Sequence, residues 1–231
     1  MSSCAQKVRI VLAEKGVEFE TVPVDTPNKE HLQAEFLSLN PWATVPVLQL
    51  NDGTCISEAI ACCRYLEEAY PEPPLFGKNP KEKATIAMWE HRMEWDGFLA
   101  VAEYLRNTAE RMKNRGLTGL VNFEQIPALA ERGKKRVAHF HSILEERLGE
   151  SEYVVGEYYT IADVTAQVSL DFGNVWHTMP YVYEVILIGF RIRNIHDIRV
   201  TTQGLFNQIS QTIYSDLVLA PKVKYFPVRS R

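Results

Sequence analysis

The sequence predicts a chain in two parts, an α/β unit followed by an all-helical unit. Three observations carry this. Up to about residue 70 the chain alternates helical and strand patterning. Between Tyr70 and Pro80 stand Pro71, Pro73, Pro74, Gly77 and Pro80, a density through which no helix continues. From Lys81 onward the apolar residues recur at helical spacing. The expected boundaries are 1–72 for the first domain, 73–80 for the linker and 81–231 for the helical domain.

In chain order, residues 7–15 read as a helix through Val8, Ile10, Val11 and Leu12, stopped by Gly16. Residues 19–24 alternate as a strand. Residues 28–39 read as one helix with Leu32, Phe36 and Leu39 on one face. Residues 45–50 are a strand, Asn51-Asp52-Gly53 is a hairpin turn, and residues 54–56 begin the returning strand. A helix follows over 58–69. Beyond the linker, residues 81–112 read as one long helix, with Ile86, Trp89, Met93 and Leu99 among its apolar positions. Val137, Phe140, Leu144 and Leu148 mark another, with Gly149 as its expected C-cap.

Composition narrows the function. With 46% hydrophobic and 23% charged residues in 231, the chain can bury a core. A net charge of −4 argues against a nucleic-acid binder, whose footprint is basic, but leaves room for a local anion site. Cys4, Cys55, Cys62 and Cys63 form neither a CxxC pair nor a zinc spacing, so reduced thiols and no metal site are expected. Residues 1–16 lack the apolar core of a secretory signal, and the apolar run 181–190 falls short of the ~20 residues that span a bilayer. No membrane partner and a cytoplasmic location are expected.

Five motifs carry chemistry. In Asn40-Pro41-Trp42-Ala43-Thr44-Val45-Pro46-Val47-Leu48, Pro46 suits a strand start or edge, or a cis turn that leaves the Val45 backbone to a ligand. In Ile56-Ser57-Glu58-Ala59-Ile60, the helix N-terminus offers free N–H groups to an anion; equally, Ser57 serves as N-cap and Glu58 as a first-turn acid. Ser2-Ser3-Cys4-Ala5-Gln6-Lys7-Val8-Arg9 reads by itself as a serine-rich cap after an initiator methionine. In residues 29–37, His31 is a ligand candidate or a solvated helix residue. Thr160 with Asp163 is a capping box, flanked by Tyr159 and Val164 as a hydrophobic staple.

Together these motifs resemble the cytosolic glutathione transferase family: N-P-x-x-x-V-P-x-L followed by D-G, the E-S-x-A-I element, the S-S-C-x-x-[RK]-V-R loop of serine-type, zeta-like members and the G-E-H-x-x-x-E-F-L segment of phi-class members. The likeness spans roughly residues 2–176. It implies a thioredoxin-like glutathione-binding domain plus an all-α domain, joined as a homodimer. It implies conjugation of glutathione, a co-substrate and not a resident cofactor, to small electrophiles. Ser2 would hold the sulfur as thiolate, with Ser3 and Cys4 as alternatives. His31, Thr44, Val45, Pro46, Glu58 and Ala59 would bind glutathione: Val45 through its backbone before a cis Pro46, Glu58 at the γ-glutamyl end, His31 at the glycyl carboxylate. Trp89, Met93 and Arg106 would line the electrophile pocket. Asp163 would be structural.

The likeness breaks at both ends. The strand that precedes the catalytic loop in the family has no counterpart, and the family's closing helices and W…RP tail are not found after Trp176. Residues 177–231 carry a β-rich run and the basic Lys222, Lys224, Arg229 and Arg231. The expectation is therefore an incomplete transferase fold, from an incomplete or mis-spliced reading of a transferase gene. Ala59 stands where a serine is usual, which favours a non-enzymatic binding protein as the rival. The zeta-like loop also permits isomerisation or reductive dehalogenation.

Overall fold

The computed structural model describes residues 2–175 and the strand Val218–Ala220. The apolar run 181–190, the expected closing helices and the basic C-terminal end lie outside the described residues.

The first domain begins with α1 (Ser3–Glu14), four residues earlier than its apolar pattern marks, because Ser2 is the N-cap. Gly16 (φ +62°) follows its end in the left-handed region open to glycine. Strand β1 is Val22–Val24. The single helix expected over 28–39 is instead a 3₁₀ turn, Glu30–Leu32, and a short α2, Ala34–Leu39. Lys29 takes φ +63° before the turn and Gln33 is extended after it, so no continuous helix can form. Strands β2 (Val47–Gln49) and β3 (Cys55–Ser57) pair antiparallel across the predicted hairpin, with Leu48 opposite Ile56. Helix α3 is Ala59–Ala69. Strand β4 (Val218–Ala220), within the stretch that looked atypical, pairs antiparallel with β1, placing Pro23 opposite Leu219.

Glu67 pins the linker. Its buried carboxylate accepts from the backbone N–H groups of Leu75 and Phe76 and from Lys15 Nζ at 2.6 Å. A carboxylate taken out of water needs such donors.

The long helix expected over 81–112 is interrupted. Helix α4 (Pro80–Arg92) runs into a π-helical turn, Met93–Phe98, then α5 (Leu99–Thr108) and a 3₁₀ turn, Glu110–Met112. Gly97 lies in the π turn against Phe140, where a Cβ would come 2.7 Å from the ring. Helix α6 is Pro127–Glu150, so Gly149 lies inside the helix and is not its cap. Helix α7 is Ile161–Val175. Its start follows the expected design: Thr160 N and Oγ1 donate to Asp163 Oδ2, and Ala162 N donates to Thr160 Oγ1. Asp163 Oδ1 also accepts from Val154 N at 2.7 Å, which ties the preceding loop to the helix.

One apolar cluster crosses both units. Val8, Val11 and Leu12 of α1 pack with Leu48, with Cys63 and Leu66 of α3, with Ile86 of α4 and with Ile161 and Val164 of α7. A second cluster, around Met93, Phe140, Leu144 and Ala166, lies within the helical domain. Lys7, buried on α1, adds a polar tie across the domains to Glu90 at 3.3 Å and Glu94 at 2.5 Å. Among the described residues no helix is long and apolar enough to cross a membrane.

Candidate active site

The N-terminus of α1 is where the sequence motifs converge. Ser2 is its N-cap, with extended backbone (φ −76°, ψ 127°) and no capping hydrogen bond from its side chain. The Ser2 carbonyl accepts from Gln6 N at 3.0 Å, so the helix begins at once and its first N–H groups face outward from Ser2–Cys4. Ser3 and Cys4 are half-buried in the first turn.

Cys4 reports which charges reach this point. Burial first and Glu94 second push its thiol up to about 12, Lys7 and Arg106 pull it down, and Glu58 adds to the rise. The charges of Glu94 in the π turn, Lys7 on α1, Glu58 at the cap of α3 and Arg106 on α5 all bear on the Cys4 thiol. At a value near 12 the Cys4 sulfur is a thiol at neutral pH, which is a poor nucleophile.

The segment before β2 is shaped by side chain–backbone bonds. Asn40 Nδ2 donates to Thr44 O and Oγ1 at 2.7 and 3.0 Å, and Asn40 Oδ1 accepts from Trp42 N. These bonds hold Ala43 at φ +55°. The Val45–Pro46 peptide bond is cis, as the resemblance implies. Val45 is half-buried and packs with Val24, Phe36 and Val47.

Glu58, not Ser57, is the N-cap residue of α3. It takes φ +67°, a region uncommon for a residue with a Cβ, and makes no capping bond with its side chain. Ser57 closes β3. The plain capping arrangement that the sequence allowed is thus absent: Glu58 is exposed and makes no side-chain capping bond, and Ala59 opens the helix.

The remaining candidates separate. Met93 is 1% exposed within the second cluster, and Trp89 packs against the same cluster beneath the Arg147 guanidinium, 5.0 Å from the ring. Met93 thus belongs to the helical core and Trp89 is half-buried against it; a tryptophan and a methionine at helical spacing look alike in either role. Arg106 is different. It is half-buried at the end of α5, donates through Nη1 to Arg115 O at 3.0 Å and acts electrostatically on Cys4. His31 is buried at 9% exposure, with Arg115 Nη2 3.5 Å from its Nε2. Lys7, Glu94 and Arg115 were not singled out from the sequence. Lys7 occupies the cationic position of its motif and was legible there. Nothing in residues 113–126 foretells which first-domain side chain Arg115 meets.

Among the described residues no group of three metal-ligating side chains gathers.

Known proteins resemble this chain in sequence and in fold. A profile for the glutathione S-transferase N-terminal domain matches residues 1–69. The chain is 33% identical over 171 residues to glutathione S-transferase 2 of Saccharomyces cerevisiae, covering 73% of this chain and 71% of that protein. It is 30% identical over 166 residues to the maleylacetoacetate isomerase of Rattus norvegicus, covering 71% and 70%. Among solved structures, a glutathione S-transferase domain-containing protein from Marinobacter aquaeolei superposes with a TM-score of 0.75 at 32% identity, over 84% of this chain and 94% of that one.

Proposed function

The chain belongs to the glutathione S-transferase family, and from that premise we propose that it conjugates glutathione to small electrophiles, with the thiolate held by Ser2 at the N-terminus of α1. The observation that supports this reading is the cis Val45–Pro46 peptide bond at the entrance to β2, the conformation that the resemblance implies for the residue pairing with the cysteinyl backbone. The γ-glutamyl end lies at Glu58 and the N-terminus of α3, the cysteinyl backbone pairs with Val45 before Pro46, and the sulfur reaches Ser2. There the helix N-terminus and the uncommitted hydroxyl both favour the charged sulfur. The thiol proton leaves to solvent, the sulfur forms a bond to the electrophilic carbon, and a halide or similar group departs with the bonding pair.

Ser2 is favoured over Cys4 because the Cys4 thiol is held so far from ionisation. Ser3 already belongs to the first turn. Glutathione acts as co-substrate, and the site is expected to work in the cytoplasm. A homodimer is part of the proposal. Met88, Trp95 and Leu99 stand exposed along the outer face of the α4–π–α5 run, with the Arg136 guanidinium 5.6 Å from the Trp95 ring, an amphipathic strip of the sort that packs against a second copy. Sedimentation that shows only monomer at micromolar concentrations would remove this element.

Likeness to an isomerase and the zeta-like Ser2-Ser3-Cys4 loop support a second activity, glutathione-dependent isomerisation. The test is retention on immobilised glutathione together with turnover of a generic aromatic halide. Retention with turnover is expected. Retention with neither conjugation nor isomerisation would leave a binding protein, the reading that Ala59 favours.

A further inference from the structure

We propose that the glycyl carboxylate of glutathione is gripped by Arg115, a residue of the helical domain, which folds over the first domain and supplies the positive charge of that subsite beside a neutral His31. The inference rests on the glutathione reading above and adds a ligand-binding residue outside the first-domain motifs.

The geometry begins with the loop between α5 and α6. Its base is fixed to the end of α5: Gln125 Nε2 donates to Arg106 O and Ala109 O, both at 2.9 Å, and Ile126 N donates to Asn107 Oδ1 at 2.8 Å. Gly116 N donates to Phe123 O, and a Cβ at Gly116 would come 2.8 Å from Glu124 O, so the loop closes on itself where only glycine fits. Arg115 is therefore held from both sides, by Met112 O accepting from its N–H and by Arg106 Nη1 donating to its carbonyl. The loop reaches the first domain at two places, Arg115 against His31 and Gly119 beside the Trp42 carbonyl. Both belong to the stretch between residue 29 and Pro46.

The chemistry of the pair then points to an anion. A guanidinium has only donors, so in its 3.5 Å contact with Arg115 the His31 Nε2 must accept, and the ring proton sits on Nδ1. That Nδ1 is buried and has no hydrogen-bond partner among the described residues. An unpaired buried donor is costly, any acceptor relieves it, and the neighbouring guanidinium favours an anionic one. Burial first and the Arg115 charge second hold the His31 ring below its ordinary value, so it donates as a neutral group and the positive charge comes from arginine. Burial first and the Arg115 charge second hold the Arg106 guanidinium below its ordinary value. The Arg115 guanidinium beside an unpaired imidazole N–H suits one carboxylate through charge-assisted bonds.

The acceptor substrate is the other source of a carboxylate, and the ligand set separates the two. Glutathione and γ-glutamylcysteine, which lacks the glycine, are titrated calorimetrically into the full chain and into Arg115→Gln and Arg115→Lys. Loss of a charge-assisted bond predicts glutathione binding about ten- to a hundred-fold weaker in Arg115→Gln, with γ-glutamylcysteine binding unchanged and partial recovery in Arg115→Lys. The unchanged γ-glutamylcysteine affinity also shows that the variant is folded. Equal weakening of both ligands, or of neither, overturns the proposal. So does an unchanged glutathione affinity accompanied by lost turnover of a carboxylated acceptor, which would assign Arg115 to that substrate. If the unaltered protein binds neither thiol, the glutathione reading itself fails and this subsite falls with it.

Discussion

Ser2 carries a hydroxyl that the helix does not use for capping, so its removal should leave α1 in place and affect only the sulfur it is proposed to hold. Ser2→Ala is expected to lower conjugation about ten- to a hundred-fold, the worth of one hydrogen bond to a charged group, with a much smaller effect on glutathione affinity. Turnover and binding for Ser2→Ala, Ser3→Ala and Cys4→Ala, measured side by side, check this; a collapse confined to Cys4→Ala would point to a mixed-disulfide enzyme instead. The Cys4 result is itself constrained. Its thiol is raised to about 12, chiefly by burial, so the thiolate exists only at strongly alkaline pH. Alkylation of Cys4 at about pH 8, followed by mass spectrometry, should lag a free cysteine by orders of magnitude, since each unit of rise cuts the thiolate fraction tenfold. Rapid labelling would contradict the electrostatics described above. At this scale the cis bond before Pro46 was legible, because its motif is contiguous. The sequence could not sort Met93 and Trp89 from Arg106, because helical spacing does not say which face is turned to a pocket. Arg115 was hidden for a different reason: its meaning comes from a contact with His31, 84 positions away.

Helix α7 begins with a box that the sequence announces, and the structure adds the Val154 N–H bond to Asp163. Asp163→Ala should cost about 3 kcal/mol in urea denaturation, because it strands buried backbone donors as well as removing a cap. A loss below about half a kcal/mol would mean that the loop is held by other contacts. The glycines at helix contacts give a sharper expectation. At Gly133 of α6 a Cβ would lie 2.7 Å from Tyr104 N and 3.0 Å from Ala100 O, both backbone atoms of α5. At Gly97 it would meet the Phe140 ring, which can turn. Gly133→Ala should therefore destabilise more than Gly97→Ala, with costs of about 1–3 kcal/mol or more, and thermal denaturation of both variants reads the order directly. The π turn explains why residues 81–112 looked like one unbroken helix. One extra residue in a turn shifts the apolar face without changing the composition, so the periodic pattern slips and does not break. The split of residues 28–39 was equally invisible, since Lys29 carries no sequence mark of a positive φ.

The two domains share one apolar cluster and the buried Lys7 pairs, so they should unfold together and not in sequence. Removing the cation alone leaves Glu90 and Glu94 without it. Lys7→Met should therefore destabilise the whole molecule by a few kcal/mol and, by freeing α1 from α4, loosen the glutathione site as well. Two resolved unfolding transitions, or a Lys7→Met protein as stable as its parent, would contradict this coupling. The two-part architecture was legible because the proline-rich linker and the change of period are both local signals. The pairing of β1 with β4 was not, since a three-residue strand almost two hundred positions away leaves no pattern that assigns it a partner. In the proposed mechanism bound glutathione is a thiolate at the N-terminus of α1. This is tested most directly by the ultraviolet absorbance of bound glutathione followed across pH. The account predicts a thiol ionisation well below that of free glutathione in the complex, moved back toward the free value in Ser2→Ala. An ionisation in the complex identical to that of free glutathione would contradict it.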